Sequence, residues 1–150
     1  MNKKKYFEKH GFFIEDLVLG QEAKYEKKIL EKDINTFSEV TGDKNPVHID
    51  EEFARHTIFK KRIAHGFLSG SLISTVIATK LPGPGSIYLN QSLKFLAPVF
   101  VNETVTAKVK IEEIDLDKNK IKLLTECFIE NKKILTGIAE IMVSSRAKID

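Results

Sequence analysis

The sequence predicts an α+β domain in which a curved antiparallel sheet wraps one long buried helix. Three observations lead there. From His65 to Lys80 nearly every position is apolar or small, and no charge lies between Arg62 and Lys80. A helix that is apolar all round must be surrounded by protein on most sides. The second half of the chain alternates apolar and polar residues in long runs, which is the period of half-buried strands. Between the two patterns, Pro82-Gly83-Pro84-Gly85 stops the helix.

The remaining elements fall in place around these. Tyr25 to Leu30 reads as a short strand with a polar face. A compact helix comes next, with Asp33 expected as its N-cap, Ile34, Phe37 and Val40 on its apolar face and Gly42 just past its end. Pro46 disfavours helical geometry at Asn45, so Asp43 to Pro46 is expected as a rigid turn or extended segment. Glu51 to Arg55 is a short helical piece. After the proline-glycine stop, Ile87, Leu89, Leu93 and Phe95 alternate with polar neighbours, and Val105, Ala107, Val109 and Ile111 do the same. A third run holds Ile121, Leu123, Thr125, Cys127 and Ile129, and a fourth covers Ile134 to Val143, with Asp117-Lys118-Asn119 as a hairpin connection. An antiparallel sheet curled round a single helix is the economical way to cover that helix. This is the hot-dog fold; an ordinary two-layer α+β sandwich is the alternative.

Composition narrows the function. The 150 residues suit one domain, with 42% hydrophobic residues to build a core. Lys and Arg total 24 against 21 Asp and Glu, a net charge of +3 with no basic block beyond Lys3 to Lys5. Nucleic acid is therefore not an expected partner. The single cysteine, Cys127, makes no intrachain disulfide and offers no metal spacing; on its strand it reads as a small core hydrophobe. His10, His48, His56 and His65 are spaced unlike a zinc site. The basic start MNKKKYFEKHG has no apolar stretch behind it, and Leu68 to Leu81 is too short to span a bilayer. A cytoplasmic protein without membrane contact is expected.

The chemistry concentrates in Thr41 to His48. Asp43 and His48 stand five positions apart across a turn stiffened by Pro46. Proton transfer needs two groups of different resting pKa, aimed at one cavity and held still, and this pair can supply them. Asp, Asn and Pro are also ordinary turn formers, so the motif is weak when taken alone.

Its surroundings are more specific. The run from Val40 to Asp50, continued by Glu51 to Ala54, resembles the signature of the (R)-specific enoyl-CoA hydratases, the MaoC-like branch of the hot-dog superfamily. The resemblance continues through Ile63-Ala64-His65-Gly66, Pro82 to Tyr88, Ser92 to Phe95 and Pro98-Val99, covering roughly residues 15 to 143 with motif order intact. It implies reversible hydration of a trans-2-enoyl-CoA to the (R)-3-hydroxyacyl-CoA, with no metal or organic cofactor. Asp43 would deprotonate the attacking water. His48 would help hold that water and deliver a proton to the α-carbon. Asn45 would shape the turn, and Gly66 would present its backbone N–H to the thioester oxygen. Ser74 matches a serine that hydrogen-bonds near the catalytic pair in some relatives.

The Gly66 role has a physical rationale. Hydration builds negative charge on the thioester oxygen, and a free N–H at a helix N-terminus stabilises it. His65, next to it, is expected to be structural, and Tyr88 and Phe95 to pack. Lys60, Lys61 and Arg62 could meet the CoA phosphates, although a solvated charge run is the commoner use of such residues.

Rival readings separate on single features. Hot-dog thioesterases that activate water with a carboxylate of the buried helix are closed off, because no Asp or Glu lies between Glu52 and Gln91. A 3-hydroxyacyl-acyl-carrier-protein dehydratase would use related chemistry on a different carrier. A non-catalytic acyl-CoA-binding module would have no chemical need for both Asp43 and His48. Open sheets have edges that need covering, so a homodimer, or an assembly of dimers, is expected.

Overall fold

A computed structural model describes residues 2–149. After a short N-terminal helix α1 (Lys3–Lys9) come β1 (Glu22–Lys28), α2 (Glu31–Thr41), α3 (Pro46–Ile49), α4 (Glu51–Arg55) and α5 (Gly66–Thr79). The sheet is completed by β2 (Ile87–Gln91), β3 (Lys94–Phe95), β4 (Thr104–Asp115), β5 (Lys120–Ile129) and β6 (Lys132–Met142). All pairings are antiparallel, in the order β1-β4-β5-β6-β2, with β3 beside β6. The long helix α5 packs against β4, β1 and β5, giving the hot-dog arrangement.

Alternation builds the core as expected. Val105, Ala107, Val109 and Ile111 of β4 and Ile121, Leu123 and Cys127 of β5 all face inward, against Leu72, Ile73, Val76 and Ile77 of α5. Each Val, Leu or Ile among them contributes about 1.5–3 kcal/mol by leaving water. Burial pushes the Cys127 thiol up to about 12, as suits a residue used for its volume. The opposite face of α5 differs from expectation, since Phe67 is 67% exposed and Ser71 and Ala78 are also open. The chain's own sheet covers one side of this helix and leaves the other bare.

Other departures have local causes. β1 begins three residues earlier than the apolar pattern marks, because its register with β4 runs from Glu22 opposite Lys110. Leu30, not Asp33, is the N-cap of α2. Asp33 lies three residues inside and accepts the Leu30 N–H at 2.8 Å, so the carboxylate caps the helix by reaching back. On that helix Ile34 is buried, whereas Val40 is 80% exposed in the last turn. Gly42 ends α2 in the left-handed conformation, φ 77°, as expected of a glycine there.

Strict alternation fails at β2 because the register shifts between Tyr88 and Asn90, leaving Leu89 as the extra, exposed residue of a bulge on an edge strand. A second shift, between Cys127 and Phe128, makes Ile134 an extra residue in β6, so Ile134 and Leu135 are both buried. That bulge sends the Ile134 carbonyl to the Leu96 N–H, which holds the β3 end against the sheet.

Gly137 lets the chain turn from β2 to β3. A Cβ there would fall 1.7 Å from the Ser92 carbonyl oxygen. The Ser92 N–H donates to Ile138 O, and Ser92 Oγ accepts the Ile138 N–H. Among the described residues no helix is long and apolar enough to cross a membrane. Gly137→Ala should cost about 1–3 kcal/mol of stability in urea unfolding, because the Ser92 crossing must move; an unchanged midpoint would show that the crossing yields freely.

Candidate active site

The turn after α2 is held by successive side-chain bonds. Thr41 Oγ1 donates to Phe37 O at 2.6 Å and accepts the Asp43 N–H at 3.2 Å. Asp43 Oδ1 then accepts the Asn45 N–H, and Asn45 Oδ1 accepts the Val47 N–H, each at 3.2 Å. Asn45 is thereby the N-cap of α3, with Pro46 as its first residue, where a missing N–H costs nothing. One turn of helix carries His48 inward.

His48 is 8% exposed. Its Nδ1 lies 2.8 Å from Ile63 O, and a carbonyl can only accept, so Nδ1 carries the proton and Nε2 keeps its lone pair in the neutral ring. Burial holds the His48 pKa below its ordinary 6.5; the Ile63 bond opposes this, His65 adds to the lowering, and Asp43 opposes it weakly. The ring is therefore neutral at pH 7. Asp43 is exposed, and donor atoms of Asp43, His48 and His65 all lie within 4.8 Å of one another.

Two imidazoles and a carboxylate so close could hold a transition metal. The His48 and His65 rings lie against each other with centroids 3.9 Å apart and planes tilted by 31°. Each ring gives one nitrogen to a main-chain carbonyl, His48 Nδ1 to Ile63 and His65 Nε2 to Asp43, which leaves a single lone pair on each neutral ring.

His48 forms part of the wall of a cavity of about 450 Å³. The rest of the wall is mostly apolar, with Phe59, Phe67, Phe95, Leu96, Val99, Ile134 and Leu135 prominent, and it includes Gly66 at the start of α5. Asp43 is not on this wall; it stands on its turn beside His48. Among the described residues the Gly66 N–H has no acceptor, as first-turn N–H groups usually lack one. A Cβ at Gly66 would lie 2.6 Å from the Phe95 ring, so glycine is required for the ring to rest there. Phe95 packs as expected, against Gly66 and Phe67, yet at 48% exposure it also faces the cavity.

Other anticipated residues lie apart. Ser74 is half-buried, eight residues along α5 from Gly66 and so about 12 Å down its axis, and is not on the cavity wall. The serine that does reach the wall is Ser69, one turn from Gly66 on the same helix face; the i, i+3 spacing is the sequence signal for it. Arg62 is committed elsewhere, pairing with Glu31 at 2.7 Å and Glu51 at 3.2 Å, which ties α2 and α4 to the segment before α5. Lys60 and Lys61 are exposed next to Phe59, with Lys61 Nζ 5.8 Å from the Phe100 ring centroid. The cavity's other wall residues, Phe59, Leu96, Val99, Ile134 and Leu135, carry no functional signal in the sequence because hydrophobic lining reads as core.

A family model described as a MaoC like domain matches residues 18–131. The chain belongs to the MaoC-like family. It is 46% identical over 134 residues to an (R)-specific enoyl-CoA hydratase of Rhodospirillum rubrum, covering 89% of this chain and 93% of that protein. It is 38% identical over 138 residues to a 3-hydroxybutyryl-CoA dehydratase of Methylorubrum extorquens, covering 92% and 88%. Among solved structures, an R-hydratase from Pseudomonas aeruginosa in the unliganded form superposes with a TM-score of 0.85 at 43% identity, over 91% of this chain and 88% of that one. The activities named for these MaoC-like relatives are hydro-lyase reactions.

The neutral His48 ring links this site to pH. Unfolded chains take up a proton near 6.5 that the folded MaoC-like domain resists, so this contribution to stability is complete above that pH and is lost as pH falls from there through the lower folded pKa. Histidine NMR should show His48 titrating below 6.5, and stability of His48→Gln should fall less steeply on acidification. A His48 midpoint at or above 6.5 would contradict the buried, carbonyl-bonded ring.

Proposed function

We propose that this protein is an (R)-specific enoyl-CoA hydratase, adding water reversibly across the double bond of a trans-2-enoyl-CoA by acid–base chemistry at Asp43 and His48. The observation that carries the reading is the arrangement at the N-terminal end of α5. There a neutral imidazole on an apolar cavity wall, a carboxylate within 4.8 Å of it and the unoccupied Gly66 N–H come together. The 46% identity to a hydratase of that specificity supports the reaction and its handedness.

In this mechanism the Gly66 N–H, at the positive end of the α5 dipole, binds the thioester oxygen and stabilises the enolate that forms. Water sits between the Asp43 carboxylate and His48 Nε2, donating a hydrogen bond to each. Its oxygen bonds to the β-carbon as Asp43 takes one proton and the second stays in the new hydroxyl. The π electrons shift toward the thioester, and the α-carbon then gains one proton. Because the His48 proton is tied to Ile63 O, the ring has none of its own on the cavity side. The proton it delivers to the α-carbon is the one Asp43 has taken from water. Nothing in the cycle requires a cofactor.

Asn45 supports the pair by capping α3. Lys60 and Lys61, exposed beside Phe59 of the cavity wall, would meet the CoA phosphates, a role Arg62 gives up to its two glutamates. Ser74 would take part only from the open side of α5. A second copy of the chain would cover that side and the exposed apolar edge at Ile87, Leu89 and Leu96, giving the homodimer.

The test is the loss of the ultraviolet absorbance of crotonyl-CoA, with product handedness read by an (R)-specific enzyme and the oligomer by light scattering. The expected result is (R)-3-hydroxybutyryl-CoA made by a particle of twice the chain mass. Asp43→Asn and His48→Gln should each lower kcat at least about a hundredfold while remaining folded. Charge reversal at Lys60 and Lys61 should raise KM and leave kcat nearly unchanged. A folded Asp43→Asn with near-normal turnover would remove the assignment, and inertness toward short, medium and branched enoyl-CoAs would move the substrate to acyl carrier protein.

A further inference from the structure

His65 is expected from the sequence to be structural, yet its contacts are unlike those of a packing residue. It is 2% exposed and is the N-cap of α5, immediately before Gly66, but its side chain makes no capping bond to that helix. Instead the ring reaches away from α5. Its Nε2 lies 3.0 Å from the main-chain carbonyl of Asp43 and 3.1 Å from Ser38 Oγ. The carbonyl can only accept, so Nε2 is the protonated nitrogen. One face of the ring lies against His48 at 3.9 Å, and Phe37 packs at 4.8 Å. Its Nδ1 is buried with no partner among the described residues. A leucine would fill the same space without leaving a polar atom stranded. What the imidazole adds is the hydrogen bond to Asp43 and a flat surface for His48.

We propose that His65 is the positioning residue of this site, one ring that fixes the main chain of Asp43 and the plane of His48 to the N-cap from which Gly66 extends. The proposal rests on the acid–base reading given above. It explains how groups from three separate elements keep one geometry. Asp43 comes from the turn after α2, His48 from α3 and Gly66 from α5, and among the described residues the Asp43 and His48 side chains bond to main-chain groups and not to each other. Asp43 stands on an exposed turn, where small shifts would otherwise be free. Misplacing a catalytic group by about 1 Å can cost about a hundredfold in rate. The charged or titratable groups facing the His48 ring are Asp43 and His65 itself.

The test compares His65→Leu, which keeps the bulk and loses the donor, with His65→Gln, whose amide can reach the Nε2 position. Both are assayed on crotonyl-CoA across pH beside Asp43→Asn and His48→Gln. His65→Leu should lower kcat about ten- to a hundredfold with KM within about twofold, since the binding cavity is untouched. The acid limb of its kcat/KM profile should move up toward the ordinary imidazole range, because the neighbouring imidazole no longer adds to the lowering of the His48 pKa. His65→Gln should recover most of kcat. Should the leucine variant not fold, His65→Asn replaces it, its shorter amide failing to reach Asp43, and the Gln-to-Asn ratio is read instead. Wild-type kcat and pH profile in folded His65→Leu would overturn the proposal. So would a glutamine variant as slow as the leucine one with its acid limb unmoved, which would reduce the ring to filling. If Asp43→Asn and His48→Gln stay active, the acid–base reading itself has failed; if they are dead while His65→Leu is normal, only the positioning role has.

Discussion

The constraint on which the structure depends is that α5 is too apolar to lie on a surface. Leu72, Ile73, Val76 and Ile77 must be covered, and β4, β5 and β1 cover them by alternating residues that share one face. Once the helix lies in the sheet, its first turn has to emerge somewhere. It emerges beside β3 and the β6 bulge, where the Gly66 N–H is left without an acceptor and an apolar cavity surrounds it. The same burial that stabilises the domain thus leaves, among the described residues, an unsatisfied donor on a mostly apolar wall at the positive end of a helix.

Around that donor the polar groups are delivered by short turns, each locked by its own side chains. Gly42 ends α2, the Asp43 and Asn45 side chains each hold the backbone N–H two residues on, and Pro46 starts the single turn that aims His48 inward. The Ile63 carbonyl then selects the His48 tautomer, and burial keeps that ring neutral. The charge network at Arg62 belongs to the scaffold: by joining Glu31 and Glu51 it fastens α2 and α4 to the segment leading into α5.

Much of this is legible in the sequence because its causes are local. Periodicity marks α5, β4 and β5, and the spacing of Asp43, Asn45, Pro46 and His48 marks the turn. The features that escape depend on register. Nothing in the alternation of Ile87 and Leu89 announces a bulge or an edge strand, yet the register shifts there and both side chains are exposed. Likewise, the extra residue Ile134 puts two consecutive side chains inward and brings Leu96 to the cavity. Arg62 looks like part of a basic run because its partners Glu31 and Glu51 are distant in sequence. His65 looks structural for the same reason, its hydrogen bonds being to Ser38 and Asp43 across the fold. The all-round apolarity of α5 is a demand for cover, and the chain's own sheet meets only half of it.

The most direct test of the account is a crystal structure of Asp43→Asn with crotonyl-CoA bound. The thioester oxygen is expected about 2.7–3.2 Å from the Gly66 nitrogen, with the β-carbon turned toward His48 Nε2 and the residue at 43. A thioester seated away from the start of α5, or a β-carbon facing away from His48, would contradict it.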